Sequence, residues 1–186
     1  MSTAPSPPRF EPARIIVAMG VSSSGKSTVG AAIARRLHAP FLDGDRYHPP
    51  ANVEKMRAGI PLTDEDRWPW LEALAGALTQ AADRKGVAVG ACSALRRAYR
   101  DYLVKKAGEP ILFVYLHGSR DVIGERMTRR QHEYMPATLL DSQFATLEPP
   151  APDENVLQVE VTEPVEAIAT HVVKAASHLR SFKRKQ

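Results

Sequence analysis

The sequence predicts an α/β fold of three layers, a parallel sheet of about five strands with helices on both faces. Three observations predict it. Short apolar runs alternate with helical patterns along the whole 186-residue chain. Alternation of that kind requires crossover connections, which make neighbouring strands parallel. The first run is also apolar throughout rather than at every second residue, as a strand covered on both faces must be.

The first run is Ile15, Ile16, Val17, Ala18 and Met19, followed by a glycine. Past Lys26, Val29, Ile33 and Leu37 recur at helical spacing. Pro40, Phe41 and Leu42 suggest a second short strand ending at Asp43-Gly44-Asp45. Residues 50–58 read as a short helix that Gly59 can end. Leu71, Leu74, Ala75, Leu78 and Ala82 mark a longer helix. Thr63 and Asp64 can cap it, but Pro69 fits better in a first helical turn, so its start is expected near Pro69. Residues 87–92 form the third strand, and a helix over 95–106 follows. Residues 111–116 are the fourth strand, and helices are expected over 119–130 and 137–147. Residues 156–159 are the last strand, and Val165, Ile168, Ala169, Val172, Val173 and Ala176 trace the last helix.

Composition narrows the class. Apolar residues are 44% and charged residues 25%, a mixture that folds rather than stays disordered. The single cysteine, Cys92, excludes an internal disulfide and a cysteine-based metal site, and fits a reducing, cytoplasmic setting. No apolar run approaches the ~20 residues of a membrane span, so no membrane association is expected. Residues 1–13, with four prolines, read as a disordered leader without the apolar stretch of a secretory signal. Residues 14–179 are expected to form one domain, and 180–186 a basic tail. The tail reads as a solvated terminus rather than a nucleic-acid site, because no basic stripe recurs in the body.

Between the first strand and the first helix stands Gly20-Val21-Ser22-Ser23-Ser24-Gly25-Lys26-Ser27, a G-x-x-x-x-G-K-S with no mismatch, followed by Thr28. Its strand–loop–helix context is that of a phosphate-binding loop. Glycines let the backbone curl so that N–H groups face phosphate oxygens, and the helix N-terminus adds partial positive charge. Lys26 is placed to reach the β- and γ-phosphates, and Ser27 to ligate Mg²⁺. No N-K-x-D for guanine stands anywhere in the chain, and no acid follows strand three or four. The strand-end carboxylates are Asp43 and Asp45 after strand two. A D-G-D triplet is also an ordinary turn. Beside a phosphate loop it suits a kinase, with Asp43 near the metal and Asp45 at the attacking hydroxyl.

Three further segments carry a resemblance. Asp43-Gly44-Asp45-Arg46-Tyr47-His48-Pro49-Pro50 is followed by Asn52, Lys55 and Met56. Pro61-Leu62-Thr63-Asp64-Glu65-Asp66-Arg67-Trp68-Pro69-Trp70-Leu71 is the second, and Cys92-Ser93-Ala94-Leu95-Arg96-Arg97-Ala98-Tyr99-Arg100-Asp101 the third. With the phosphate loop and Gln143-Phe144-x-x-Leu147-Glu148-x-Pro150, the chain from 15 to 173 resembles the gluconokinase family. The resemblance implies a P-loop kinase fold like that of shikimate and nucleoside monophosphate kinases, a mobile lid and often a homodimer. It implies ATP and gluconate as substrates, with 6-phosphogluconate entering the pentose phosphate or Entner–Doudoroff routes. One departure is Ser23, where many members carry glycine; it matters only if that position needs a positive φ.

A sugar acid's carboxylate calls for arginine, and Arg67 and Arg100 are the candidates, with Arg97 behind them. Asp45 and His48 are candidates for the hydroxyls. Trp68 and Trp70 suit either the wall of a sugar site or the core. Arg126 and Arg130, four apart on one helix face with Arg129 between, are candidates to close over the phosphates within a lid at about 126–137. The catalytic set expected from the sequence is therefore Lys26, Asp45 and Arg130. A shikimate-like or nucleoside monophosphate kinase, and a non-catalytic nucleotide-dependent module, are the alternatives.

Overall fold

The computed structural model describes residues 10–129 and 137–180. In chain order these form β1 (Ile15–Met19), α1 (Lys26–Leu37), β2 (Phe41–Asp43), a 3-10 turn (Gly44–Tyr47), α2 (Pro50–Arg57), α3 (Asp64–Lys85), β3 (Ala88–Ala91) and α4 (Arg97–Ala107). β4 (Ile111–His117), α5 (Arg120–Arg129), α6 (Ala137–Thr146), β5 (Val156–Glu160) and α7 (Val165–Arg180) complete the order.

β1 has no polar side chain and no residue more than 1% exposed, so both of its edges and both of its faces must be covered. β3 and β4 cover the edges in parallel, Ile15 lying opposite Ala88 on one side and Ile111 on the other. β2 joins β3 and β5 joins β4, again in parallel, which gives the order β2-β3-β1-β4-β5. Side chains alternate between the faces. Ile16 points into a core with Ile33 of α1 and Ile168 and Val172 of α7. Ile15, Val17 and Met19 point into a second core with Leu71, Leu74 and Leu78 of α3 and Leu103 of α4. The expected five-stranded, three-layer architecture is the observed one.

Two expectations are corrected. α3 begins at Asp64, ahead of Pro69. The Thr63 hydroxyl accepts the Asp66 N–H at 3.3 Å, and the Asp66 carboxylate accepts the Thr63 N–H at 2.9 Å. This reciprocal cap satisfies two N–H groups that otherwise lack helical partners, which outweighs the single N–H that Pro69 lacks in the second turn. The carbonyl so deprived is that of Glu65, an exposed residue that water can serve. The second correction concerns the leader. Phe10 and Ala13 pack against the core, and the Glu11 N–H donates to Asn155 Oδ1 at 2.9 Å. Residues 1–9, most of the tail (181–186) and the lid segment 130–136 lie outside the described residues. Among the described residues no helix is long and apolar enough to cross a membrane.

β2 lies close to β3 because Gly44 presents no side chain. A Cβ there would stand 2.3 Å from the Ala91 carbonyl oxygen and 3.1 Å from Leu74 Cδ2. The Gly44 carbonyl in turn accepts the Trp70 indole N–H at 2.7 Å. Forcing a methyl against backbone costs about 1–3 kcal/mol. Gly44→Ala is therefore expected to lower the thermal midpoint by about 2–4 °C for each kcal/mol lost. An unchanged melting curve would show that β2 can shift freely.

Candidate active site

The loop between β1 and α1 turns through three positive φ angles, Gly20 at 144°, Ser23 at 62° and Gly25 at 96°. The position of Ser23 thus does need the left-handed conformation, and a residue with a Cβ there carries about 1–2 kcal/mol of strain. Local bonds hold the curl. Gly20 N–H donates to the Ser93 carbonyl at 3.3 Å, Ser24 N–H to the Val21 carbonyl at 3.3 Å, and Lys26 Nζ to the same Val21 carbonyl at 2.9 Å. Beside the loop lies a cleft of about 280 Å³ at the carboxyl ends of β1, β2 and β3, lined among others by Ser22, Lys26, Ser27, Thr28, Asp43 and Asp45.

Asp43 ends β2 and works in two directions. Its Oδ1 accepts the Asp45 N–H at 3.1 Å, which caps the 3-10 turn, and its Oδ2 accepts the Ser27 hydroxyl at 3.0 Å. Ser27 and Asp43, the two residues expected at a metal, are thus joined by a hydrogen bond. Both are hard oxygen donors at the mouth of a phosphate cradle, the chemistry Mg²⁺ requires when phosphate oxygens and water complete its octahedron. Among the described residues no cluster of three or more His, Cys, Asp or Glu side chains is placed to hold a metal ion. Beneath the loops Cys92 is 1% exposed, and burial pushes its thiol up to about 12, so it stays protonated.

His48 leaves the 3-10 turn and stacks on Trp70, ring centroids 4.0 Å apart and planes at 16°. Asn52, buried at 3% exposure, donates one amide hydrogen of Nδ2 to the Asp66 carbonyl at 2.8 Å and approaches His48 Nδ1 at 3.4 Å with the other. Nδ1 is then an acceptor, and the imidazole hydrogen sits on Nε2. Burial, and after it the charge of Arg67, lower the His48 pKa to about 4, so the ring is neutral at pH 7. Arg67 donates to the Leu62 carbonyl at 2.5 Å, stands 3.9 Å from the Asp64 carboxylate and lies 5.4 Å over the Tyr99 ring. Tyr99 donates its hydroxyl to Asp64 at 2.6 Å, and Arg96 reaches the other Asp64 oxygen at 3.3 Å. Arg96 is thus a second arginine at this corner, which reasoning from the sequence missed.

Arg100 is not that second arginine. It is 1% exposed, and its guanidinium binds Glu154 through Nε at 2.6 Å and Nη2 at 3.0 Å. Its Nη1 donates to the carbonyls of Ala94 and Leu95 at 3.0 and 3.2 Å. Burial alone would raise the Glu154 carboxyl, but the bonds from Arg100 and from the Ala151 amide hold it below its ordinary value. Four of its five N–H groups are bonded within the fold, and at 1% exposure the side chain offers no open face to a ligand. Arg97 pairs with Asp153 at 2.7 Å on the surface. Trp68 packs against Tyr99 and Tyr102, and Trp70 is buried, so both belong to the core. Arg126 donates to the Val161 carbonyl beyond β5, while its neighbour Met127 lines the cleft. Arg130 lies outside the described residues.

The family model described as shikimate kinase matches residues 22–177. The thermoresistant gluconokinase of Escherichia coli is 44% identical over 162 residues, 86% of this chain and 91% of that protein. The gluconokinase of Gluconobacter oxydans is 48% identical over 146 residues, 78% of this chain and 82% of that one. The crystal structure of a gluconokinase from Sinorhizobium meliloti superposes with a TM-score of 0.81 at 43% identity, covering 96% of this chain and all of that one. A phosphate loop facing strand-end carboxylates on this sheet defines a P-loop kinase of the shikimate kinase family. Within that class the chain belongs to the gluconokinase family.

Two outcomes follow from the buried groups. Arg100→Ala would leave the Glu154 charge buried and unpaired, a loss of about 3–5 kcal/mol, to be read in denaturant unfolding. A loss below 1 kcal/mol would refute the structural assignment. For His48 the folded-state pKa lies below the unfolded value, so the unfolded chain binds more protons between about pH 4 and 6.5. Its contribution to stability is complete above the upper limit and falls as pH drops through that window. His48→Asn is expected to flatten this part of the melting temperature profile; an unchanged slope would contradict the buried neutral ring.

Proposed function

We propose that the chain transfers the γ-phosphoryl group of ATP to the C6 hydroxyl of D-gluconate, giving 6-phospho-D-gluconate and ADP. The observation that carries the proposal is the cleft itself, lined by the phosphate loop, Lys26, Asp43 and Asp45. Residues 20–28 form the phosphate cradle: the N–H groups of Gly20, Ser22 and Ser24 bond within the fold and hold its shape, while those at the start of α1 and the Lys26 ammonium bind the phosphates. Ser27 and Asp43 would hold Mg²⁺, which when bound neutralises charge on the phosphate oxygens. Asp45 orients the C6 hydroxyl and accepts its proton as the new O–P bond forms and the bond to the β-phosphate oxygen breaks.

The acceptor's remaining groups find matching chemistry. His48, neutral and protonated at Nε2, is a hydrogen-bond donor to a sugar hydroxyl. Arg67 answers the carboxylate, where a planar fork suits two oxygens. The lid arginines of this reading are Arg126 and Arg130, which close over the transferring group and exclude water. Cytoplasmic residence and a homodimer belong to the same reading and rest on family membership, with no nucleic acid or membrane as partner.

ADP release measured against gluconate, other sugar acids, glucose, shikimate and nucleoside monophosphates tests the assignment. Gluconate is expected to exceed glucose in kcat/KM by on the order of 10⁴, since glucose brings no carboxylate to the Arg67 fork. Arg67→Met, which keeps the stem's packing, is expected to raise KM for gluconate and shrink that gap, with KM for ATP nearly unchanged. Equal kcat/KM for glucose and gluconate would sink the sugar-acid reading.

A further inference from the structure

The cleft has one contact that none of the roles above uses. Gln143 of α6 stands 121 residues from Ser22, yet binds it twice. Its Oε1 accepts the Ser22 N–H at 2.6 Å, and its Nε2 donates to Ser22 Oγ at 2.9 Å. Two bonds to one residue close a ring, which fixes both the plane of the Ser22 peptide and the rotamer of its side chain. We propose that Gln143 is a positioning residue for ATP, setting the shape of the phosphate loop from outside it.

Three features support this. The first is that α6 is anchored. Leu140 is 1% exposed in the core, and Asp141 pairs with Arg120 of α5. Past the helix, Glu148 donates its N–H to the Leu95 carbonyl at 2.8 Å and accepts the Arg97 N–H at 2.8 Å. Gln143 therefore works from a fixed base. The second is that Ser22 precedes Ser23, the loop residue with φ of 62°. A strained conformation persists only where its surroundings over-determine it. The Ser24-to-Val21 bond constrains the loop on one side of Ser23, and Gln143 constrains it on the other. The third is the choice of an amide. A carboxylate at this position could accept both the Ser22 N–H and the Ser22 hydroxyl, but it would set a negative charge beside a site for polyphosphate. Glutamine makes the same pair of contacts with no charge.

The inference rests on the loop being the ATP site and not on the identity of the acceptor. The test is therefore direct titration of the full-length protein with Mg·ATP and with Mg·ADP in the absence of acceptor. Steady-state kinetics with gluconate and a melting curve accompany it. Gln143→Leu keeps the volume and removes both bonds. It is expected to weaken ATP binding about tenfold while KM for gluconate stays within twofold. Gln143→Glu restores both bonds, so its melting temperature is expected to match the parent. Its charge is expected to weaken ATP binding by a similar factor, more than ADP binding, and less so as salt is raised. Failure to turn over gluconate would count against the acceptor assignment and leave these titrations readable. ATP affinity within twofold of the parent in both variants would overturn the proposal. So would losses in ATP and gluconate parameters that are equal and follow the fall in melting temperature.

Discussion

A parallel sheet presents all its carboxyl ends on one side, and the cleft depends on that constraint. β1 is apolar over its whole length, so it can lie only at the centre, with neighbours on both edges and helices on both faces. Helical crossovers then return each strand in the same direction, and the turns after β1, β2 and β3 meet above the central strands. The first turn brings backbone N–H groups and Lys26, the second Asp43 and Asp45, and the third Ser93. Their contacts are direct: Gly20 bonds Ser93, and Ser27 bonds Asp43. None of these three loops needs to travel to the site, because the order of the strands delivers them all.

Delivery alone would leave these loops loose, and two of them contain strained residues. Ser23 stands at φ 62° and Ala94 at φ 43°, both unfavourable for a residue with a Cβ. Each is braced by a side chain from a helix outside the loop, distant in sequence for Ser23 and the next element for Ala94. Gln143 holds Ser22, next to Ser23. Arg100 holds the carbonyls of Ala94 and Leu95. The bidentate partner of Arg100, Glu154, ties that arginine to the segment before β5. Arg100 therefore serves the cleft without facing it. It fixes the loop that offers the Ser93 carbonyl to Gly20, and a buried cation is tolerated there because each of its three nitrogens is bonded and Glu154 balances its charge.

The legible parts of the chain share a physical origin. The phosphate loop could be read because the atoms that bind phosphate are backbone N–H groups, and the conformation exposing them is written into eight consecutive residues. The inner strands β1, β3 and β4 could be read because burial on both faces leaves little room for polar side chains, whereas the edge strand β5 alternates buried and exposed. Asp43 and Asp45 were legible through their place at a strand end. The start of α3 was open to a local reading too, since Thr63 and Asp66 have the spacing of a reciprocal cap, yet the helix-start preference of Pro69 was given more weight. There the satisfaction of two N–H groups outweighed one absent donor.

The acceptor side shows where local reading ends. Arg96, Arg97 and Arg100 lie within five residues on and just before one helix, and composition gives no reason to separate them. Helical geometry and partners elsewhere do so. One turn of helix turns Arg100 inward to Glu154, leaves Arg97 on the surface with Asp153, and leaves Arg96 beside Tyr99 and Asp64. The partners of Arg97 and Arg100 are more than fifty residues away, as Gln143 is from Ser22, and nothing in either neighbourhood announces the other. His48 shows the same limit, since its neutrality comes from burial, to which the stack on Trp70 belongs, and from the charge of Arg67 rather than from the prolines beside it. The residues of the phosphate loop are therefore written locally, while what braces that loop and what surrounds the acceptor candidates is written in tertiary contacts. A chain can keep an intact nucleotide loop while changes at distant partners alter the molecule it phosphorylates.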